Sequence, residues 1–237
     1  MTERYAVYAI PGLGDAAPRD IALRSHAEGW LGRSIDDSPI SEFHSPHLAR
    51  EAADSITTEP RRYGFHATLK APFRLAPGRA VEALNDAVAE LAVTARPVTI
   101  PALTVDRIGR FLALVPGTPS PALNALASRV VREVDHVRAS TTPEEIARRR
   151  PETLTLRQRS LLVDFGYPYV LDEFRFHFTL TDGIALDAHD LPRAVLETWF
   201  ADWLGADVQL DALAVVHEPK PGAPFLLHSI HPLEGLR

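Results

Sequence analysis

The sequence predicts an α+β fold of two similar lobes, with two small, mainly antiparallel sheets and outer helices around a pseudo-twofold central cleft. Three observations carry this. Two alternating segments, "FHATLKAPF" from Phe65 and "FHFTLTDGI" from Phe176, share an H-x-T-L core, and His66 and His177 stand 111 residues apart. Each segment is followed by a helical pattern and then by two further strand patterns joined by a turn. The 20 prolines and 13 glycines among 237 residues divide the chain into many short elements. A period that occurs only twice is a duplicated lobe rather than a solenoid. Nothing between the halves reads as a flexible linker, so residues 1–237 are expected to form a single bilobal domain, each lobe carrying one H-x-T strand.

The elements follow in order. Residues 4–10, "RYAVYAI", alternate as a strand stopped by Pro11-Gly12. Pro18 sits where a first helical turn tolerates it, and Ile21, Leu23, Ala27, Trp30 and Leu31 then keep helical spacing. Residues 34–60 are polar and irregular, a long loop that is either a lid or a surface excursion. The strand "RRYGFHATLKAPF" (61–73) comes next, then an amphipathic helix over 78–95, then strands in "VTIPALTV" and "FLALVPG" separated by "DRIGR". The second half opens with a helix over 119–138 whose stripe is Leu123, Leu126, Val130, Val131 and Val134. In 140–151 a capping candidate, an early proline and acidic residues mark a short helix. "LRQRSLLVDFGYPY" is helix running to a turn at Gly166. A strand over 173–183, a turn, a helix over 191–204 and strands in "VQLDALAVVHE" and "FLLHSIHPL" complete the chain.

Composition narrows the function. A net charge of −6 argues against a broad basic surface for long nucleic acid, while leaving room for a small anion held by local cations. With no cysteine, disulfides, thiolate zinc sites and cysteine nucleophiles are excluded. The start "MTERYAVYAIPGLG" lacks a signal-peptide pattern, and no apolar run approaches the ~20 residues that span a bilayer. A cytoplasmic protein is the expectation.

Side chains of a strand alternate between its faces. In the first segment Tyr63, Phe65, Ala67, Leu69, Ala71 and Phe73 share one face; Arg62, Gly64, His66, Thr68 and Lys70 share the other. In the second, Phe174, Phe176, Phe178 and Leu180 oppose Arg175, His177, Thr179 and Thr181. Both polar faces present His and Thr two residues apart, and symmetric lobes would aim both pairs into one cleft. That suits acid–base chemistry on a phosphoester. Imidazole holds or releases a proton near neutrality, so one ring can deprotonate a water while the other protonates the leaving oxygen. The two hydroxyls would donate to the non-bridging oxygens as they gain charge, with Lys70 and Arg175 adding electrostatic hold and Tyr63 as a further substrate contact. Such a scheme requires no metal and no cofactor.

The pair "HATL" (66–69) and "HFTL" (177–180) resembles the doubled H-x-T/S-x signature of the 2H phosphoesterase superfamily. The context "RYGFHATLKAPFRL" and "FRFHFTLTDGI" resembles, nearly end to end, the DUF1045 or phosphonate-metabolism-associated family. The resemblance implies a bilobal α+β fold, catalytic roles for His66 and His177, and phosphate contacts for Thr68 and Thr179. It also implies a small cyclic phosphate as substrate, of the 2′,3′-cyclic nucleotide or phosphoribosyl type, met in phosphonate metabolism. Two alternatives stand beside it: a non-catalytic module binding nucleotides or RNA ends, and an RNA 2′-5′ end-processing enzyme with an extended positive groove.

Other residues carry weaker signals. His44 and His47 lack the partners of a metal site. His217-Glu218, His228 and His231 are expected at turns or on outer faces. Tyr5, Tyr8, Phe111 and Phe225 could stack on a base, but alternating strands bury aromatics in any case. Arg157 or Arg159 could meet a terminal phosphate or simply line a solvated helix, as Arg61, Arg62 and Arg148–Arg150 are expected to be solvated.

Overall fold

Nine strands and eight α-helices are found among the residues that the computed structural model describes, 3–185 and 188–236. The first unit runs β1 (Arg4–Ala9), α1 (Pro18–Leu31), two short helices α2 (Arg50–Ser55) and α3 (Thr58–Tyr63), β2 (Ala67–Phe73), α4 (Val81–Thr94), β3 (Val98–Ile100) and β4 (Thr104–Ile108). The second runs β5 (Phe111–Val115), α5 (Pro121–Glu133), α6 (Pro143–Arg148), α7 (Leu156–Phe165), β6 (Phe178–Thr179), α8 (Asp190–Trp199), β7 (Val208–Leu210) and β8 (Ala212–Glu218). A last strand, β9 (Leu226–Pro232), follows.

The repeat therefore starts one strand earlier than the sequence suggests. β1 corresponds to β5, and the proline-led α1 to the proline-led α5. The units exchange strands. One sheet has the order β2-β1-β8-β9, the other β4-β5-β6, so each takes a strand from the opposite unit. Between them β3 and β7 pair antiparallel about Thr99↔Gln209, whose side chains hydrogen-bond each other at 3.0 and 3.2 Å. An antiparallel pairing of equivalent strands is what a twofold axis between them produces. The largest buried cluster draws apolar residues from Tyr5 through Leu233, and the stacked rings of Phe65 and Phe178, 4.7 Å apart, join the two motif segments at its centre.

Several predicted boundaries move. Arg61 to Tyr63 end helix α3 rather than begin a strand, because Gly64 takes a left-handed φ of 77° and breaks the helix. A Cβ at Gly64 would also crowd Ile35 at 3.3 Å. The second motif strand shrinks from eleven expected residues to Phe178–Thr179, followed by irregular backbone in which the Leu180 and Thr181 amides both donate to the Leu112 carbonyl. "DRI" belongs to β4 and only the Gly109 turn separates it from β5. The 34–60 segment holds α2 and the first half of α3. It packs against α1 through Arg24–Asp36 at 2.7 Å and against α8 through Phe43 stacked on Trp199 at 4.9 Å. The expected turn before α8 crosses 186–187, outside the described residues. No helix among the described residues is long and apolar enough to cross a membrane.

Candidate active site

His66 enters β2 directly after the Gly64 turn. Its Nδ1 lies 2.9 Å from the Gly64 carbonyl, which can only accept, so Nδ1 carries the proton and Nε2 is the lone-pair nitrogen. Nε2 meets the Thr68 hydroxyl at 3.1 Å. His177 repeats this anchor: Nδ1 donates to the carbonyl of Arg175, also two residues back, at 2.7 Å. Each ring is thus fixed by its own backbone with the same nitrogen left for chemistry.

The two motif segments meet at one cavity, which His177 lines directly and which the first segment reaches through Thr68, hydrogen-bonded to His66; His66 and Thr179 themselves stand behind the lining. Thr68 and His177 line a single cavity of about 460 Å³, together with Arg110, Phe111, Gln158, Tyr167, Tyr169, Glu173, Phe174 and Arg175. Burial pushes the His66 imidazolium down to about 4, opposed by the Gly64 hydrogen bond and reinforced by the positive charge His177 would carry. Burial lowers His177 too, against its bond to Arg175. Burial therefore makes both rings favour the neutral form near neutrality.

The sequence-predicted residues divide. Thr68 and Arg175 line the cavity with His177, and Thr179 is half-buried in β6. Tyr63 sits 6.0 Å from the His66 ring, on the end of α3, with its hydroxyl accepting from Arg62 and its ring stacked on Phe225 at 5.2 Å. Lys70 leaves the cleft. The β1–β2 register slips between Tyr8↔Thr68 and Val7↔Lys70, so Lys70 shares the face of the core residue Val7. There its ammonium bonds Asp135 at 2.8 Å and the Val131 carbonyl at 3.1 Å. Burial lowers its pKa, while the Asp135 carboxylate opposes that. Strand parity alone could not see a bulge. Thr181, four residues past His177 as Lys70 is past His66, is likewise buried, accepting from the Leu112 amide and donating to the Asp182 carbonyl.

Other candidates resolve similarly. Tyr8 stacks on His66 with ring centroids 3.8 Å apart, and Phe111 lies 5.5 Å from His177 on the cavity wall. Tyr5 instead stacks with His217 on the outer region of the same sheet. Phe225 is buried beneath Tyr63. Arg157 pairs with Asp172 and Arg159 with the Leu154 carbonyl; neither lines the cavity. His44 pairs with Glu42 in an exposed loop. Glu218, expected on an outer face, is fully buried and receives Arg4 at 2.6 Å and Arg62 at 3.1 Å. No residue of 34–60 lines the histidine cavity; its outer wall comes from α7 and the segment after it. Tyr167, Tyr169 and Gln158 on that wall had no signal beyond standing between two helical patterns and the second motif.

Paired sheets, exchanged strands and two H-x-T segments facing one cavity define a 2H phosphoesterase-like fold. A solved structure of TT0787 from Thermus thermophilus shares it, with a TM-score of 0.50, 15% identity and coverage of 99% of this chain and 100% of that one. Escherichia coli LigT complexed with NADP+ aligns over 99% of both chains at 12% identity and a TM-score of 0.48. The chain belongs to the DUF1045 family, described as a protein family of unknown function, whose model matches residues 68–226. That span begins two residues after His66 and contains Thr68, His177 and Thr179. Two curated relatives, both named ribose 1,5-bisphosphate phosphokinase PhnN, are 36% identical over 98% of this chain (Janthinobacterium sp., strain Marseille) and 34% identical over 94% (Laribacter hongkongensis, strain HLHK9). The chain spans about half the length of these relatives, 51% and 50%.

Proposed function

We propose that the chain is a metal-independent phosphoesterase that opens a small cyclic phosphate or phosphodiester by two-histidine acid–base catalysis. The observation that carries this is the repeated anchor: two imidazoles, each with Nδ1–H held by the carbonyl two residues back, one lining the cavity and the other bonded to Thr68 on its wall. His66, the ring with the lower affinity for protons, is the base; it removes a proton from water as the water oxygen attacks phosphorus. His177 is the acid and protonates the ester oxygen whose bond to phosphorus breaks. An anion bound between them raises both proton affinities, so substrate binding itself supplies the protonated acid. The hydroxyl of Thr68 turns from His66 to a non-bridging oxygen, with Thr179 in the equivalent role and Arg175 at the rim. Acid, base and donors are all side chains of this chain, which is why no metal enters the scheme.

The relatives' name supports a phosphorylated ribose in phosphonate metabolism as the type of substrate. The kinase activity in that name describes proteins twice as long, and no G-x-x-x-x-G-K run occurs in these 237 residues. A panel of 2′,3′-cyclic nucleotides, phosphoribosyl cyclic phosphate and acyclic diesters, assayed with EDTA present, tests the reading. Ring opening that persists in EDTA and disappears in His66→Ala and His177→Ala is expected. Binding without turnover across the panel would mark a binding module instead, and RNA binding with steep salt dependence an end-processing enzyme.

A further inference from the structure

Beside the histidine cavity lies a second one of about 290 Å³, and its wall holds Arg4, Arg62, Arg74, Arg138, Arg148 and Arg149. In a chain of net charge −6, six guanidiniums around so small a volume is a concentrated exception. The cavities adjoin: Tyr167 lines both, and Tyr63, 6.0 Å from His66, lines the arginine side. Strand β2 runs through the pair, with Thr68 in one and Ala71 to Phe73 in the other. Three residues of strand cover about 10 Å, roughly the span of one sugar plus the reach of an arginine.

The arginines differ in how far they are already engaged. Arg138 is held by Asp135, and Arg74 by Glu145, through paired nitrogens. Arg4 and Arg62 share the buried Glu218, and the Nε of Arg62 is buried without any acceptor. Arg148 and Arg149 form no ion pair among the described residues, and Arg149 lies over the Tyr167 ring at 4.8 Å, on the shared wall. Fixed guanidiniums with spare donors are the arrangement that receives a phosphate through paired hydrogen bonds.

We propose that this cavity is the subsite for a second phosphate, so that the substrate is a sugar or nucleotide bearing a cyclic phosphate at one end and a phosphate monoester at the other. The proposal rests on the phosphoesterase reading of the histidine cleft. Its test compares kcat/KM for 2′,3′-cyclic AMP and for the same compound carrying a 5′-phosphate. The 5′-phosphorylated compound should be preferred by roughly tenfold or more, since hydrogen bonds to charged groups are among the stronger ones. That preference should collapse toward one in Arg148→Gln/Arg149→Gln, both exposed positions. Equal kcat/KM in the parent, or a preference that survives the double substitution, overturns it. Should neither compound turn over, the phosphoesterase reading is decided by the wider panel above and the subsite is judged separately. Inorganic pyrophosphate is then titrated calorimetrically into His177→Ala with and without Arg148→Gln/Arg149→Gln. Binding at least tenfold weaker in the latter supports the subsite; equal binding overturns it.

Discussion

The two motif regions share a design and differ in what surrounds it. Around His66 the space is filled: Tyr8 faces Thr68 across the β1–β2 ladder and stacks on the imidazole. Around His177 the position facing Thr179 across β5–β6 is Ala113, which carries no ring, and the nearest aromatic is Phe111, 5.5 Å away on the cavity wall. The segments between first helix and motif strand differ as well. In the first unit that segment packs back on α1 and α8; in the second it swings over the cavity and supplies Tyr167 and Tyr169. A duplicated pair of histidines can thus keep its symmetry in the backbone anchor while the walls around the two rings differ, and on the proposed mechanism that difference is what separates base from acid.

The largest effects should come from the histidines. His66→Ala and His177→Ala are each expected to lower kcat by about 10²–10⁴, with far-UV circular dichroism unchanged. The comparison sharpens with a diester whose nitrophenolate leaving group needs no proton. That substrate should recover activity in His177→Ala and not in His66→Ala; the opposite pattern would reverse the two roles.

The ring contact between the halves comes next. Phe65→Ala or Phe178→Ala should cost about 3–5 kcal/mol in denaturant unfolding, with about 0.5–1.5 kcal/mol of coupling in the double-mutant cycle. Of similar size, Lys70→Met should cost about 3–5 kcal/mol by leaving Asp135 partly unpaired. Per folded molecule its kcat should equal the parent's, because Lys70 points away from the cleft. A fall in kcat with unchanged stability would return Lys70 to the site.

The pH dependence follows from the depressed imidazoles. Both hold protons less tightly when folded, so the unfolded chain binds more protons as pH falls, and stability drops as pH descends from about 6.5 through the folded value of His66, about 4. For catalysis, the kcat/KM profile reports the free enzyme and should be a bell lying on the acid side of 6.5. The kcat profile should move to higher pH, since bound phosphate raises the acid's proton affinity. Coincident profiles would sink the idea that substrate charges the acid. The smallest change is expected for Tyr8→Phe: its buried hydroxyl has no partner, so stability should stay level or rise by about 1 kcal/mol with kcat unaltered.

What was legible in the sequence is what a local pattern can encode. The H-x-T spacing places imidazole and hydroxyl on one side of extended backbone, and the structure keeps Thr68 against His66 that way. Period and proline also placed α1, α4 and α5 within a few residues. Lys70 was lost because a bulge inverts parity and depends on the partner strand. Glu218 and the arginines of the second cavity were invisible because Arg4 and Arg62 meet only through a residue 214 and 156 positions away. The exchange of strands between units likewise lies in pairing, which a linear pattern of alternation does not carry.

That exchange sets the order in which the chain can become itself. β1 is made first, and its inner neighbour β8 last but one, with Arg4 opposite Glu218. During synthesis the N-terminal strand can pair with β2, yet its other edge waits, open, for nearly the whole length of the chain. Closing so long a loop is slow, and an apolar edge left unpaired invites the wrong partner. A ribosome-bound fragment ending before residue 212 should therefore be the form most dependent on chaperones. Two copies of a single unit, each lending its last strand to the other, would meet the same need as a domain-swapped pair.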